Sequence, residues 1–95
     1  QNIHALLWMA TTKARHVYSD VEYKEDDFIM FGRESAGIPE EILMAHEETS
    51  IRIPMLEAAR SLNLSNSVAI VIYEAFRQQG FPGMLTEGQL HRHAW

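Results

Sequence analysis

Polar side chains able to hold a ligand crowd one short stretch of this chain: Ser61, Asn63, Ser65 and Asn66 stand in "SLNLSNS", directly ahead of the apolar run from Val68 to Ala75. Hydroxyls and amides at the mouth of an apolar helix offer donors and acceptors beside the free backbone amides of its first turn. The bland account is helix capping, because Ser and Asn are ordinary N-caps. Two other stretches have ligand-binding chemistry. "FGRESAGIP" sets Glu34 between Gly32 and Gly37, glycines that let backbone approach a bound molecule or simply shape a turn. "TTKAR" is short and basic, with Lys13 and Arg15 suited to phosphate, although cations scattered over a surface are the commoner case. Neither GxxxxGK[ST] nor GxGxxG occurs, so no phosphate loop or dinucleotide fingerprint is present. His91 and His93 form an i, i+2 pair in the tail with no third ligand, and we assign no metal.

These stretches follow apolar runs. "HALLWMATT", His4 to Thr12, reads as a buried strand ending in the first loop. "SDVEYKEDD" is a polar connector, and "FIMFG", Phe28 to Gly32, is a continuous apolar run stopped by glycine, the pattern of a strand buried on both faces. "SIRIPM", Ser50 to Met55, is a third strand. Between the last two, "IPEEILMAH" predicts a helix with Pro39 at its first position and Glu40 and Glu41 where the helix dipole favours negative charge. The clearest helix is capped by Ser65 or Asn66, carries Val68, Ile72, Ala75 and Phe76, and ends at Gly80 and Pro82. Val71 and Ile70 widen its apolar face, so cover is expected from the sheet and from another subunit. The tail "TEGQLHRHAW" reads as a short helix or a loose end. Strands alternating with helices predict an α/β fold with a mainly parallel sheet and flanking helices. In such sheets the ligand lies beyond the carboxyl ends of the strands, so the three loops are expected to share one edge.

The chain has 95 residues, 46% hydrophobic and 22% charged, enough for one domain with a marginal core and too apolar for a disordered acidic segment. The net charge of −5 argues against attraction to nucleic acid over the whole surface. Lys13, Arg15, Arg33, Arg52 and Arg60 nevertheless lie beside the ends of the apolar segments, which leaves a local basic face. No apolar run is long enough to span a membrane. The absence of cysteine excludes disulfides and thiolate metal sites, and a cytoplasmic setting fits. No secretory signal pattern follows Gln1, and the natural start is expected upstream of it.

Taken in order and spacing, "FGRESAGIPEEIL", "IRIPM" and "RSLNLSNSVAIVIYEAFRQQGFPG" resemble the later motifs of the SPOUT-type RNA ribose 2'-O-methyltransferases. The similarity is strongest to the small group that methylates the wobble cytidine or uridine of certain leucine tRNAs, whose motifs look like "FGPETRGLP", "IRIPM" and "RSMNLSNAVSVVVYEAWRQ". The upstream "LTTKG" of that group resembles "ATTKA" here, and the match runs from about Trp8 to Gly83, most of the chain. The resemblance implies a trefoil knot at the carboxyl end, which general rules of topology would not suggest. It implies a homodimer, and S-adenosyl-L-methionine held by Ala10, Gly32, Ile53, Ser61 and Leu62. Glu34, Ser61 and Asn63 would position the ribose and phosphate of a tRNA, with Lys13 and Arg33 on the RNA.

The chain departs from that pattern in three places. The arginine-bearing turn of the group's amino-terminal part has no counterpart, and the group carries roughly sixty further residues upstream, within an ordinary domain size. Ala36 stands where the group has arginine, and Ala10 where it has leucine. The expected identity is therefore the carboxyl-terminal part, residues 1–95, of a single methyltransferase domain. The alternative is a non-catalytic cofactor-binding or RNA-binding dimerisation fragment that lacks the catalytic arginine.

Overall fold

A computed structural model of the chain describes residues 5–32, 37–55 and 63–95. Four strands form one sheet: β1 (Leu7–Ala10), β2 (His16–Val17), β3 (Phe28–Phe31) and β4 (Ser50–Arg52), in the order β2-β4-β1-β3. Every neighbouring pair is parallel, which meets the α/β expectation. Helix α1 (Glu40–Met44), a 3-10 turn at Glu47–Thr49 and the long helix α2 (Leu64–Gln78) complete the regular structure among the described residues.

The core forms between one face of the sheet and α2. Trp8, Tyr23, Ile51 and Val71 are buried together, with Ala10, Ile29, Phe31 and Ala75 packed around them. The Trp8 and Tyr23 rings meet edge to face, 5.3 Å between centroids. The Tyr23 hydroxyl donates to the Tyr18 carbonyl at 2.6 Å. Burial, then the Glu74 carboxylate and Tyr18, push the Tyr23 phenol well above the ordinary range. On the opposite face Met9 is fully buried where the 3-10 turn packs on β1, and the Ser50 hydroxyl donates to the His46 carbonyl at 2.8 Å.

Two polar clamps tie the connector to this core. Asp27 accepts from the Leu6 amide at 2.9 Å, the Trp8 indole at 2.8 Å and the Lys24 amide at 2.9 Å, joining the starts of β1 and β3. Gln78 accepts from the Tyr23 amide at 2.8 Å and donates to the Val21 carbonyl at 2.9 Å, while Gln79 donates to the Tyr23 carbonyl at 2.9 Å. The polar segment read as a connector is thus anchored at both ends.

Several elements differ from the sequence reading. Strand β2 lies between the first loop and the connector, where the sequence reading assigned no element, because a two-residue strand carries no periodicity to detect. Among the described residues strand β3 stands at the sheet edge and is not buried on both faces, with Phe28 68% and Met30 37% exposed. β4 stops at Arg52, ahead of Pro54, which has no amide to extend a ladder. Pro39 sits just outside α1 rather than in its first turn, with its carbonyl accepting from the Ile42 and Leu43 amides. α2 begins at Leu64, and Asn63, not Ser65 or Asn66, caps it: its side-chain oxygen accepts from the Ser65 amide at 2.8 Å. At the other end, Gly80 at φ 80° lets its amide donate to the Arg77 carbonyl and the Phe81 amide to the Phe76 carbonyl, closing the helix in a Schellman motif. The tail beyond Met84 has no helix, and Leu85 and Trp95 are almost fully exposed.

Candidate ligand cleft at the strand ends

The register brings three strand ends level. Ala10 pairs with Phe31 on one side and Ile51 on the other, so Thr11 and Gly32 leave the sheet side by side, level with Arg52 at the end of β4. The Thr11 amide donates to the Ile51 carbonyl at 2.9 Å, which carries the first loop along the end of β4. A cleft of about 520 Å³ opens there. Its size falls within the roughly 300–1,000 Å³ of small-molecule sites.

Each wall comes from one loop. The first, after β1, contributes Ala10, Thr11, Thr12 and Lys13. The second, after β3, contributes Phe31, Gly32, Gly37 and Ile38. The third, with the start of α2, contributes Ile53, Met55, Asn63 and Ser67, and Val71 forms part of the floor. Apolar Ile38, Ile51, Ile53 and Val71 suit an aromatic ring, and the polar groups of Thr11, Asn63 and Ser67 suit a ligand with hydroxyls and charge.

The site's own geometry explains its sequence. A Cβ added to Gly32 would lie within 2.6 Å of the Gly37 backbone, so the two ends of the second loop meet only because residue 32 has no side chain. Gly37 holds φ 70°, the left-handed region, with open space where a side chain would project. The Arg52 guanidinium donates to the Thr12 carbonyl at 3.1 Å and pins the first loop over β4. The Lys13 ammonium meets the Glu40 carboxylate at 2.8 Å, linking the first loop to α1. That hydrogen bond and the ammonium's charge hold the Glu40 carboxyl below its ordinary range.

Of the residues singled out in the sequence, Ala10, Gly32, Ile53, Asn63 and Lys13 all line this one cleft. Glu34, Arg33, Ser61 and Leu62 lie outside the described residues. Lys13, expected on RNA, is paired with Glu40, and Arg52 is engaged with a backbone carbonyl. Sequence reading missed Ile38, Met55 and Ser67, which have no chemical signature of their own; Ser67 stands one position past Asn66 in the polar cluster.

A parallel α/β sheet with a ligand cleft beyond its strand ends, walled by three loops and the start of a helix, defines the class of this domain. The SpoU rRNA Methylase family matches residues 2–73, and the chain belongs to that family. It is similar to the tRNA (cytidine(34)-2'-O)-methyltransferase of Escherichia coli strain K12, 50% identical over 78 residues, covering 81% of this chain and 50% of that protein. A solved Bacillus anthracis chain superposes with a TM-score of 0.80 at 38% identity, covering 87% of this chain and 54% of that one. A structure addressing 2-OH methylation of C/U34 on tRNA gives a TM-score of 0.75 at 35% identity, covering 82% and 50%. The chain spans about half the length of the curated relatives it matches. Among the described residues no helix is long and apolar enough to cross a membrane.

Proposed function

We propose that this chain supplies the cofactor-binding, carboxyl-terminal part of a tRNA ribose 2'-O-methyltransferase acting on the wobble nucleotide of leucine tRNAs. The observation that carries this reading is the convergence of Ala10, Gly32, Ile53 and Asn63 on one cleft at the carboxyl ends of β1, β3 and β4. The similarity to an enzyme named for position 34 of tRNA supports the substrate class.

The cleft fits S-adenosyl-L-methionine, with an apolar floor for a purine and polar walls for an amino acid and ribose. When bound, that group supplies an electrophilic methyl on a sulfonium. The chain's residues do the rest of the holding. Ile38, Ile53 and Val71 exclude water from the floor, the loop shaped by Gly32 and Gly37 brings backbone groups to the ligand, and Asn63 fixes the start of α2 against it. Held beside Ala10, Gly32 and Ile53, the cofactor would give that methyl to a ribose 2'-oxygen as its carbon–sulfur bond breaks, and would leave as a thioether. The hydroxyl's proton must pass to a base. Glu34 and Ser61 belong to this proposal as positioning groups for ribose and phosphate, and Ser61 and Leu62 as cofactor contacts. The trefoil knot, the homodimer and a cytoplasmic setting belong to it as well. The exposed Tyr73 on α2 and the partly buried Ile70 and Ile72 offer the apolar surface a second copy would cover.

The test is methyl transfer by the full-length protein to leucine tRNA transcripts, with nuclease digestion and mass analysis locating the product. A 2'-O-methylated nucleotide at the wobble position is expected. Methylation of a base, or of a ribose elsewhere, would overturn the assigned substrate, and failure of S-adenosylhomocysteine to bind would overturn the assigned cleft.

A further inference from the structure

A smaller pocket of about 200 Å³ opens beside the main cleft, between the first loop and α1. Thr11 and Lys13 line both, so the two adjoin. Its apolar side is made by Ala14, Leu43 and Met44, and Met44 is 83% exposed despite having no polar atom but a thioether. Its rim carries two cations, each held by a carboxylate from the α1 region: Lys13 with Glu40 at 2.8 Å and Arg15 with Glu47 at 3.1 Å. All four charged side chains are more than half exposed.

We propose that this pocket is a second nucleotide subsite, taking the base and phosphate of an RNA nucleotide adjacent to the one presented to the main cleft. The proposal rests on the RNA reading above. The pocket has room for one base but not for the cofactor. A thioether and a leucine side chain make a sequence-tolerant platform for the face of a base. Lys13 and Arg15 line the pocket beside that platform and, once released from Glu40 and Glu47, supply the positive charge a phosphate needs. Exposed ion pairs hold weakly, so a phosphate can displace Glu40 and Glu47 from the two cations, and its oxygens match the guanidinium fork of Arg15. Glu40 and Glu47 keep the cations extended over the pocket while the RNA is absent and compete with the phosphate when it arrives. Since Lys13 borders both pockets, one strand can occupy them together.

The test measures binding of a leucine-tRNA anticodon stem-loop to the full-length protein by fluorescence anisotropy over a range of salt, with S-adenosylhomocysteine titrated in parallel. Met44→Glu should weaken RNA binding roughly ten-fold, as loss of one base platform would, and leave S-adenosylhomocysteine affinity unchanged. Met44→Leu should bind RNA as the parent does. Arg15→Gln should reduce the slope of log K against log salt by about 0.7, one single-strand phosphate contact. If the parent binds RNA but Met44→Glu and Arg15→Gln bind it with parental affinity and slope, the subsite is wrong and the RNA reading stands. If the parent does not bind the RNA, both fall. If Met44→Glu also loses S-adenosylhomocysteine, its effect is structural, and an unchanged Arg15→Gln slope then overturns the subsite.

Discussion

Gly32 and Gly37 are in backbone contact: a Cβ built on Gly32 would lie 2.3 Å from the carbonyl carbon of Gly37 and 2.5 Å from the Ile38 nitrogen. Gly37 and Ile38 thus lie against Gly32 and share one wall of the cleft with it. Only glycine at position 32 permits that contact, while Gly37 is needed for its φ of 70° and not for space. Gly32→Ala is therefore expected to push the loop open, destabilising the domain by about 1–3 kcal/mol as overpacking does. If about 1.4 kcal/mol of that strain falls on the ligand-bound loop, S-adenosylhomocysteine affinity drops roughly ten-fold. Gly37→Ala meets no atom and should cost roughly 1–2 kcal/mol through the left-handed backbone alone. Calorimetric titration of both variants checks this, and equal affinities for the two would contradict the contact.

Asn63 has two jobs in the structure, capping α2 and lining the cleft. Asn63→Ala should lower the urea-unfolding free energy by about 1 kcal/mol, the ordinary effect of losing an N-cap. Asn63→Asp keeps an acceptor for the Ser65 amide and should restore most of that stability. An alanine variant as stable as the parent would remove the capping role.

Asp27 makes stability fall in acid. Burial pushes its carboxyl upward, but the Leu6 amide, the Trp8 indole and the Lys24 amide outweigh it and hold the folded carboxyl below the ordinary value. A depressed acid is stabilising above its unfolded value of about 3.9, and that stabilisation is lost as pH falls through the lower folded value. Asp27→Asn should therefore flatten the acid limb of a stability-against-pH curve while weakening the fold at neutral pH. An unchanged acid limb would rule out Asp27 as a source of it.

Gln78 joins α2 to the connector through both ends of its amide, accepting from Tyr23 and donating to Val21. Gln78→Ala strands both backbone groups and should cost about 1–3 kcal/mol. Hydrogen exchange offers a local readout: the Tyr23 amide should lose protection in Gln78→Ala more than the amides of β1 do. Uniform loss across the sheet would mean the clamp is not local.

Much of the site was legible because its residues carry chemistry that shows in a string of letters. Two glycines around Glu34, a basic loop after an apolar run and a dense Ser and Asn cluster before a helix marked the three loops. The described residues Ala10, Gly32, Ile53 and Asn63 then met at one place. The clamps of Asp27 and Gln78 were not legible. A carboxylate among acids or an amide near a helix end looks solvated until the fold brings it to Trp8 or Tyr23, partners 19 and 55 residues away.

Strand β3 shows the same boundary from the other side. Its apolar run announced a strand, and the structure confirms one at Phe28–Phe31. Its composition suggested burial on both faces, but whether a strand is central or at an edge depends on which strands pair with it, and that is a property of the sheet order.

By itself the sequence determined the α/β class, the positions of the long helix and of the three loops, and membership of the methylase family, because local propensity, hydrophobic patterning and motif order are written along the chain. Tertiary structure alone decided that Lys13 is engaged by Glu40, that Gly32 must be glycine because Gly37 touches it, and that a second pocket adjoins the first. Each of those depends on the distance between residues far apart or facing across a loop, which hydrogen-bond register and packing set and no single segment encodes.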